Sequence, residues 1–377
     1  MVNKSLNAQK LLLAALTRPE SCGQLKPKEW EQLIRCARPA KLVAALGSKF
    51  AQTGLRQTMP RQALDNFYAA QKLVEYRQRL AMWELNRIAK ALAGLDVNIV
   101  VLKGGAYQLL KLDMAEGRSV SDIDILVAKK DIERVEQCLT GQGWQTAKLD
   151  DYDQHYYRTW MHEIPPLRHR DRFIEVDIHH TILPLTSRLH PEPETLLKDA
   201  VEVAQCDFKV LAPCDMVLHS AVHLFYDAEL NAGDFRDLVD LHELLTLFGG
   251  QIEGFWDKLI MRADELELER PLYYALYFSS KLLKTPIPVH LITRHKGRPA
   301  GIVRLLMEYL APLALLPENP DYPSQKVAFA RWLLYVRSHY LRMPLTLLLP
   351  HLMKKSKKRL KQRSIDNLTN QDQSDSA

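Results

Sequence analysis

The sequence predicts an α+β chain that is mainly helical, with one small sheet-and-helix unit in its middle. Three observations carry this. Glycine is scarce, 15 in 377 residues, about 4% where roughly 7% is usual. Good helix formers (Leu, Ala, Lys, Arg, Glu, Gln) are plentiful. Apolar residues recur at helical spacing along most of the chain, whereas strand-like runs are confined to residues 97–182. With 47% hydrophobic and 25% charged residues, a disordered or fibrous chain is excluded.

Residues 5–95 read as helices, ending in one long amphipathic helix over 61–95 that stops near Gly94. At Val97 the texture changes. VNIVVLKGG is a β-branched run closed by a glycine pair, a buried strand and a tight turn. AYQLLKLDM returns to helix. SVSDIDILV alternates, with Ile123, Ile125 and Val127 on an apolar face and Asp122 and Asp124 on the other. KKDIERVEQCLTGQGW reads as a helix, and WQTAKL, HYYRTW and RFIEVDIHH as further strands. From about residue 190 helical periodicity resumes. The expected divisions are an N-terminal helical region (1–95), an α/β core (96–185), a C-terminal helical domain (186–352) and a basic, partly disordered tail (353–377).

The net charge of +6 invites a nucleic-acid partner, so its distribution matters. Residues 351–377 hold seven Lys and Arg against three Asp, leaving only +2 for the other 350 residues. A long polyanion partner is therefore not favoured. The five cysteines form no CxxC and are odd in number, which fits reduced thiols in a cytoplasmic protein better than disulfides or structural zinc. The N-terminus reads as a helix, not a signal peptide. No stretch reaches the roughly 18 apolar residues of a membrane span.

Three features fall in the α/β unit. Lys103-Gly104-Gly105 ends a strand, where glycines allow positive φ and leave backbone N–H groups open to a phosphate. Asp122 and Asp124, two apart on a strand, share a face and suit a Mg²⁺ ion (or Mn²⁺) that keeps substrate phosphates in its shell. Glu175, Asp177 and His179 share a face of another strand, backed by Ile174, Val176 and Ile178. Like charges on adjacent strands repel, so such a cluster makes best sense around a divalent cation.

The ordered trio V-L-K-G-G-A, R-S-V-S-D-I-D-I-L-V and E-V-D-I-H-H resembles the bacterial "uncharacterised nucleotidyltransferase" family, within the DNA polymerase β-type nucleotidyltransferase superfamily. The resemblance implies a polymerase β-like core of a small mixed sheet and helices. It also implies metal-dependent transfer of an NMP group from an NTP such as ATP to a hydroxyl, releasing pyrophosphate. The acceptor stays open: a small molecule, a protein side chain or an RNA end. Asp122, Asp124 and Asp177 would hold the metals, and Gly104 and Gly105 would cradle phosphates. Lys103, Arg118 and Ser121 would contact phosphates too. Glu175 competes with Asp177 as third carboxylate, and V-D-I-H favours Asp177. His179 is either a substrate or metal contact or a structural histidine. The sequence departs from the superfamily pattern at Gly105, where a serine often follows the first glycine, so a hydroxyl contact is missing.

Other features read as structural. His219 and His223 lie four apart on a helix without an intervening glutamate, so they read as packing residues, with His223 a candidate for lining the cleft. Asp234, Asp237 and Asp240 read as a solvated or salt-bridged helix face, with Asp237 or Asp240 a candidate for acceptor recognition. His162-Glu163 reads as a connecting turn near the cleft. Two alternatives accompany the enzyme: an inactive nucleotide-binding or regulatory module of the same fold, and a membrane-peripheral interaction protein. The latter would make weak surface contact through the basic tail.

Overall fold

The computed structural model describes residues 2–146, 149–319, 321 and 323–350. The chain opens with α1 (Val2–Thr17), α2 (Pro27–Ala37), α3 (Val43–Gln52) and the 32-residue α4 (Arg61–Leu92). Pro27 suits the first turn of α2, where no intrahelical N–H bond is lost. The buried residues of α4 (Ala63, Phe67, Val74, Ala81, Leu85, Ile88) recur at helical spacing, and Phe67 closes an edge-to-face cluster with Trp30 and Phe50.

Two glutamines tie α4 to the segment that leads into the site. Gln71 Nε2 donates to the Glu116 carbonyl (3.0 Å), and Gln78 Nε2 donates to the carbonyls of Ala115 (2.6 Å) and Arg118 (3.0 Å). Gly117 lies so close to the backbone of Ala45 in α3 that no Cβ fits there. The segment before the aspartates is thus held from two sides.

The central unit contains β1 (Val100–Val101), α5 (Lys103–Leu109), β2 (Asp122–Leu126), α6 (Ile132–Gly141), β3 (Trp144–Thr146) and α7 (Asp151–Trp160). It continues through β4 (Leu167–His169), β5 (Glu175–His179), α8 (Pro193–Lys198), β6 (Val201–Glu202) and β7 (Lys209–Val210). Among the described residues these strands form one mixed sheet in the order β3-β4-β5-β2-β1-β7-β6. β2 pairs in parallel with β5 and antiparallel with β1.

The structure corrects the sequence reading in three places. HYYRTW belongs to α7: the Asp150 carboxylate accepts the Asp153 N–H (2.9 Å), and this cap with the acidic first turn outweighs the aromatic, strand-like composition. The sheet reaches beyond residue 182, because β6 and β7 pair onto β1; Val201 lies in a stretch read as helix, and Val210 in the short stretch that the sequence reading leaves between two helices. The glycine pair does not supply the left-handed backbone. Lys103 does, at φ 43°, while Gly104 and Gly105 lie in the first turn of α5.

The remaining helices are α9 (Pro213–Val222), α10 (Phe235–Gln251), α11 (Phe255–Glu265), α12 (Glu269–Leu283), α13 (His290–Thr293), α14 (Gly301–Leu315) and α15 (Gln325–Arg342). A π-helical turn, His223–Asp227, follows α9. Leu218, Phe225, Leu241, Leu276 and Phe278 are fully buried and join the sheet's Val101, Ile125 and Ile178 in a continuous apolar core. The tail at 353–377 lies outside the described residues.

Candidate active site

The register of two strands builds the site. Asp124 stands opposite Asp177, Asp122 opposite Glu175, and Leu126 opposite His179. Side chains alternate along each strand, so these positions share one face while Ile123, Ile125, Val176 and Ile178 fill the core behind. Of the two competitors on β5, Asp177 sits beside the buried Asp124, and Glu175 sits at the exposed end with Asp122.

Asp124 is enclosed by cations. His179 Nε2 lies 3.0 Å from its Oδ1, and Lys103 Nζ lies 3.4 Å from the same atom. Burial alone would raise the Asp124 carboxyl, but Lys103 and the hydrogen bond from His179 outweigh it and hold it well below the usual carboxylate range. Lys103 behaves correspondingly. Burial disfavours its ammonium, yet Asp124, Asp237, Asp122 and Asp227 together keep its pKa raised. The strained backbone of Lys103, worth on the order of 1 kcal/mol or more, aims this side chain at four carboxylates.

Asp177 has no such neighbour of its own. Burial, then the charges of Glu163 and Asp124, push its carboxyl up to about 8. The turn before β4 brings Glu163 in, because the Ile164 N–H donates to the Ile178 carbonyl (3.1 Å) and the His180 N–H to the His162 carbonyl (2.9 Å). Glu163 Oε2 lies 3.4 Å from His179 Nε2 and 3.9 Å from His162 Nε2, and the two imidazoles stack at 5.1 Å. The Nδ1 atoms of His162 and His179 are buried without a partner among the described residues. Burial lowers His162 to about 3, whereas His179, against the effect of burial, is raised by Asp124 and Glu163.

The opposite wall comes from the C-terminal helices. His223 Nδ1 lies 3.7 Å from Asp237 Oδ2, and the π-helical turn delivers Asp227. π-Turns recur at functional sites because they push a side chain out of helical register. Burial, then the Lys103 charge, keeps His219 and His223 neutral.

Arg118 and the glycines take positions the sequence reading did not foresee. Arg118 is buried, donates from Nε to Asp240 Oδ2 (2.5 Å) and lies over the Tyr107 ring. Its charge is consumed inside the protein, against the phosphate contact expected of it. A Cβ on Gly104 would collide with the Arg118 guanidinium, and one on Gly105 would lie 2.7 Å from Val101 Cγ1. Both glycines are therefore required by packing.

Ser121 Oγ donates to Asp122 Oδ1 (3.0 Å) at the lip of a groove of about 380 Å³. Arg38, Lys41, Arg77 and Arg236 line this groove beside apolar α4 residues, and none of its described lining residues is acidic. Arg77 Nη1 donates to Ser119 Oγ (3.3 Å), and Arg236 Nη1 to the Ser119 carbonyl (3.2 Å). Sequence reasoning did not single out Arg38, Lys41 or Arg77, because they lie on helices read as packing. It treated Glu163 as a turn residue, since nothing local announces that its turn folds back onto β5.

The oxygen-rich donor set fits a hard divalent cation: Asp122, Asp124 and Asp177 share one face, and the elevated Asp177 marks a position that lacks positive charge. The His162, Glu163 and His179 ligand atoms lie within 4.8 Å of one another and extend the set with imidazoles.

A family model described as "Uncharacterised nucleotidyltransferase" matches residues 26–284. The crystal structure of an antigenic nucleotidyltransferase-like protein from Paracoccidioides brasiliensis is similar over 58% of this chain and 98% of that one, at 13% identity and a TM-score of 0.31. No curated protein matches the chain.

Proposed function

The chain belongs to the uncharacterised nucleotidyltransferase family, and from that premise we propose that it moves an NMP group from an NTP to a hydroxyl acceptor with the help of a divalent cation. The observation that carries this reading is the parallel register placing Asp124 beside Asp177, with Asp122 one step along the same face. Asp122, Asp124 and Asp177 would hold the cation, which supplies charge neutralisation for the triphosphate and acidifies the acceptor hydroxyl.

This chain's own residues do the rest. Lys103 is the mobile internal cation, pairing with Asp124 before substrate arrives and turning to a phosphate oxygen afterwards. His179 orients Asp124 through Nε2. The Gly104 and Gly105 N–H groups and the Ser121 hydroxyl offer phosphate contacts. The positive groove beside Asp122 supplies the neutralisation that Arg118, paired with Asp240, does not. In the transfer, the acceptor oxygen bonds to the α-phosphorus as the α–β bridging P–O bond breaks. Pyrophosphate leaves with the electron pair, and the acceptor proton passes to water.

Pyrophosphate release from each NTP with Mg²⁺ or Mn²⁺ tests the reading, with Asp122→Asn and Asp124→Asn as controls. Turnover should fall by roughly a hundredfold or more in each variant, with melting temperature retained. Normal turnover in both variants overturns it. A specific observation favours a second reading: Lys103 and His179 already neutralise Asp124. If the wild type binds NTP but releases no pyrophosphate, the protein is a nucleotide-binding module of the same fold.

A further inference from the structure

α14 and α15 pack against each other on the outside of the molecule with an inverted distribution of side chains. Their inward faces carry Ala311, Ala314, Ala330 and Leu334, all essentially buried. Their outward faces carry the large residues. On α14 these are Ile302, Leu305 and Tyr309, at 74%, 60% and 59% exposure; on α15 they are Phe329 and Trp332, both at 58%, and Val336. The spacing on each helix is i, i+3, i+7, a continuous apolar stripe. Of the twenty large hydrophobic side chains left exposed among the described residues, eleven lie between Ile302 and Leu349. Scattered single cases need no explanation, but such a concentration marks an interaction surface.

The chemistry of the occupant follows from charge. From residue 325 to residue 363 the chain contains eleven Lys and Arg and no Asp or Glu. Seven of these follow the described residues directly, between 354 and 363, and Lys326 stands exposed at the start of α15, whereas Arg331, Arg337 and Arg342 are engaged within the protein, by Glu318, the Phe225 carbonyl and Asp227. A second copy docking through this face would set like charge against like, since a two-fold interface pairs a patch with itself. A nucleic acid would satisfy the cations and stack on Trp332 and Phe329, but leave Ile302, Leu305 and Val336 in water. An anionic lipid surface satisfies both halves. Aliphatic side chains enter the acyl boundary, Trp and Tyr sit at headgroup level, and basic residues meet lipid phosphates. Among the described residues no helix is long and apolar enough to cross a membrane, so contact would be in the plane of the interface.

We propose that the outer face of α14 and α15, together with the basic segment that follows, docks the protein on anionic membranes. Flotation of the full chain with phosphatidylcholine vesicles holding about one third phosphatidylglycerol tests this, with pure phosphatidylcholine as reference. Binding should be roughly tenfold stronger to the anionic vesicles and fall with added salt. Leu305→Glu/Trp332→Glu should lower it by roughly tenfold or more without shifting the melting temperature, both positions being exposed. Removing residues 354–377 should weaken binding and remove most of its salt dependence. No flotation of the wild type, or equal flotation of the double variant, overturns the proposal. So does a dimer in sedimentation that the double variant dissolves, or RNA binding that displaces the vesicles.

Discussion

Asp177 carries the clearest physical signature in the site. Its carboxyl is held up to about 8 by burial and by Glu163 and Asp124, so without a cation it is neutral at pH 7. The unfolded chain ionises the same group near 3.9. The folded state therefore binds one more proton between those values, and stability falls as pH rises from about 4 to about 8. Asp177→Asn mimics the protonated form and removes this loss. The variant should melt higher than wild type at pH 7 to 8 in the absence of metal, by roughly a few degrees, with the gain fading towards pH 4. Mg²⁺ or Mn²⁺ should raise the melting temperature of the wild type and leave that of the variant unchanged. A variant that melts lower than wild type at pH 8 contradicts the assignment. The carboxylates themselves were legible in the sequence, because D-I-D and E-V-D-I alternate against unbroken apolar partners. Lys103 was named there as a phosphate contact, but its inward role depends on one left-handed backbone angle that no spacing reveals.

At the scale of elements, the Arg118–Asp240 pair joins the segment before β2 to α10, and Gly104 in α5 leaves room for it. Both side chains are nearly fully buried. Burial disfavours the Arg118 charge, but Asp240 more than compensates and keeps it firmly protonated. Asp240→Leu strands a buried guanidinium and should cost about 3–5 kcal/mol in denaturant unfolding. Asp240→Leu with Arg118→Met should recover most of that loss, since no unpaired charge remains. Failure of the double variant to recover would mean that the pair sets geometry beyond its own charges. The helices and the two central strands were readable from periodicity, which reports burial on one face. The edge strands and α7 were not: two-residue strands carry too little pattern, and α7 is decided by a capping aspartate against its composition. Glu163 reaches the site only through antiparallel bonding of its turn to β5, a long-range event with no local mark.

At the scale of the whole molecule, histidine titration works against stability at acid pH. Burial lowers six histidines among the described residues: His162 to about 3, His180 and His295 to about 4, and His219, His223 and His242 below their ordinary value. Three of them, His162, His219 and His223, line the site, so the cost of building a dry, carboxylate-rich cleft is shared with the fold. Unfolded, each takes a proton near 6.5. Below that pH the unfolded chain binds more protons, so stability is fully present above about 6.5 and is lost as pH falls towards the folded values. Each such histidine can remove about 1.4 kcal/mol per pH unit. Asp177, at about 8, Asp234, raised to about 6 chiefly by burial, and Glu163, Asp215 and Asp240, also raised by burial, act in the opposite sense and offset part of this loss. His179 is raised, so it stays protonated throughout this range and does not add to the loss. The histidine share of the pH dependence between about pH 6.5 and 5 should therefore show in single variants. His162→Gln and His180→Gln should each flatten the descent, because each deletes one group that the unfolded state protonates preferentially. A slope from pH 7 to 5 that neither variant changes would mean that these imidazoles reach solvent and take up their protons without unfolding.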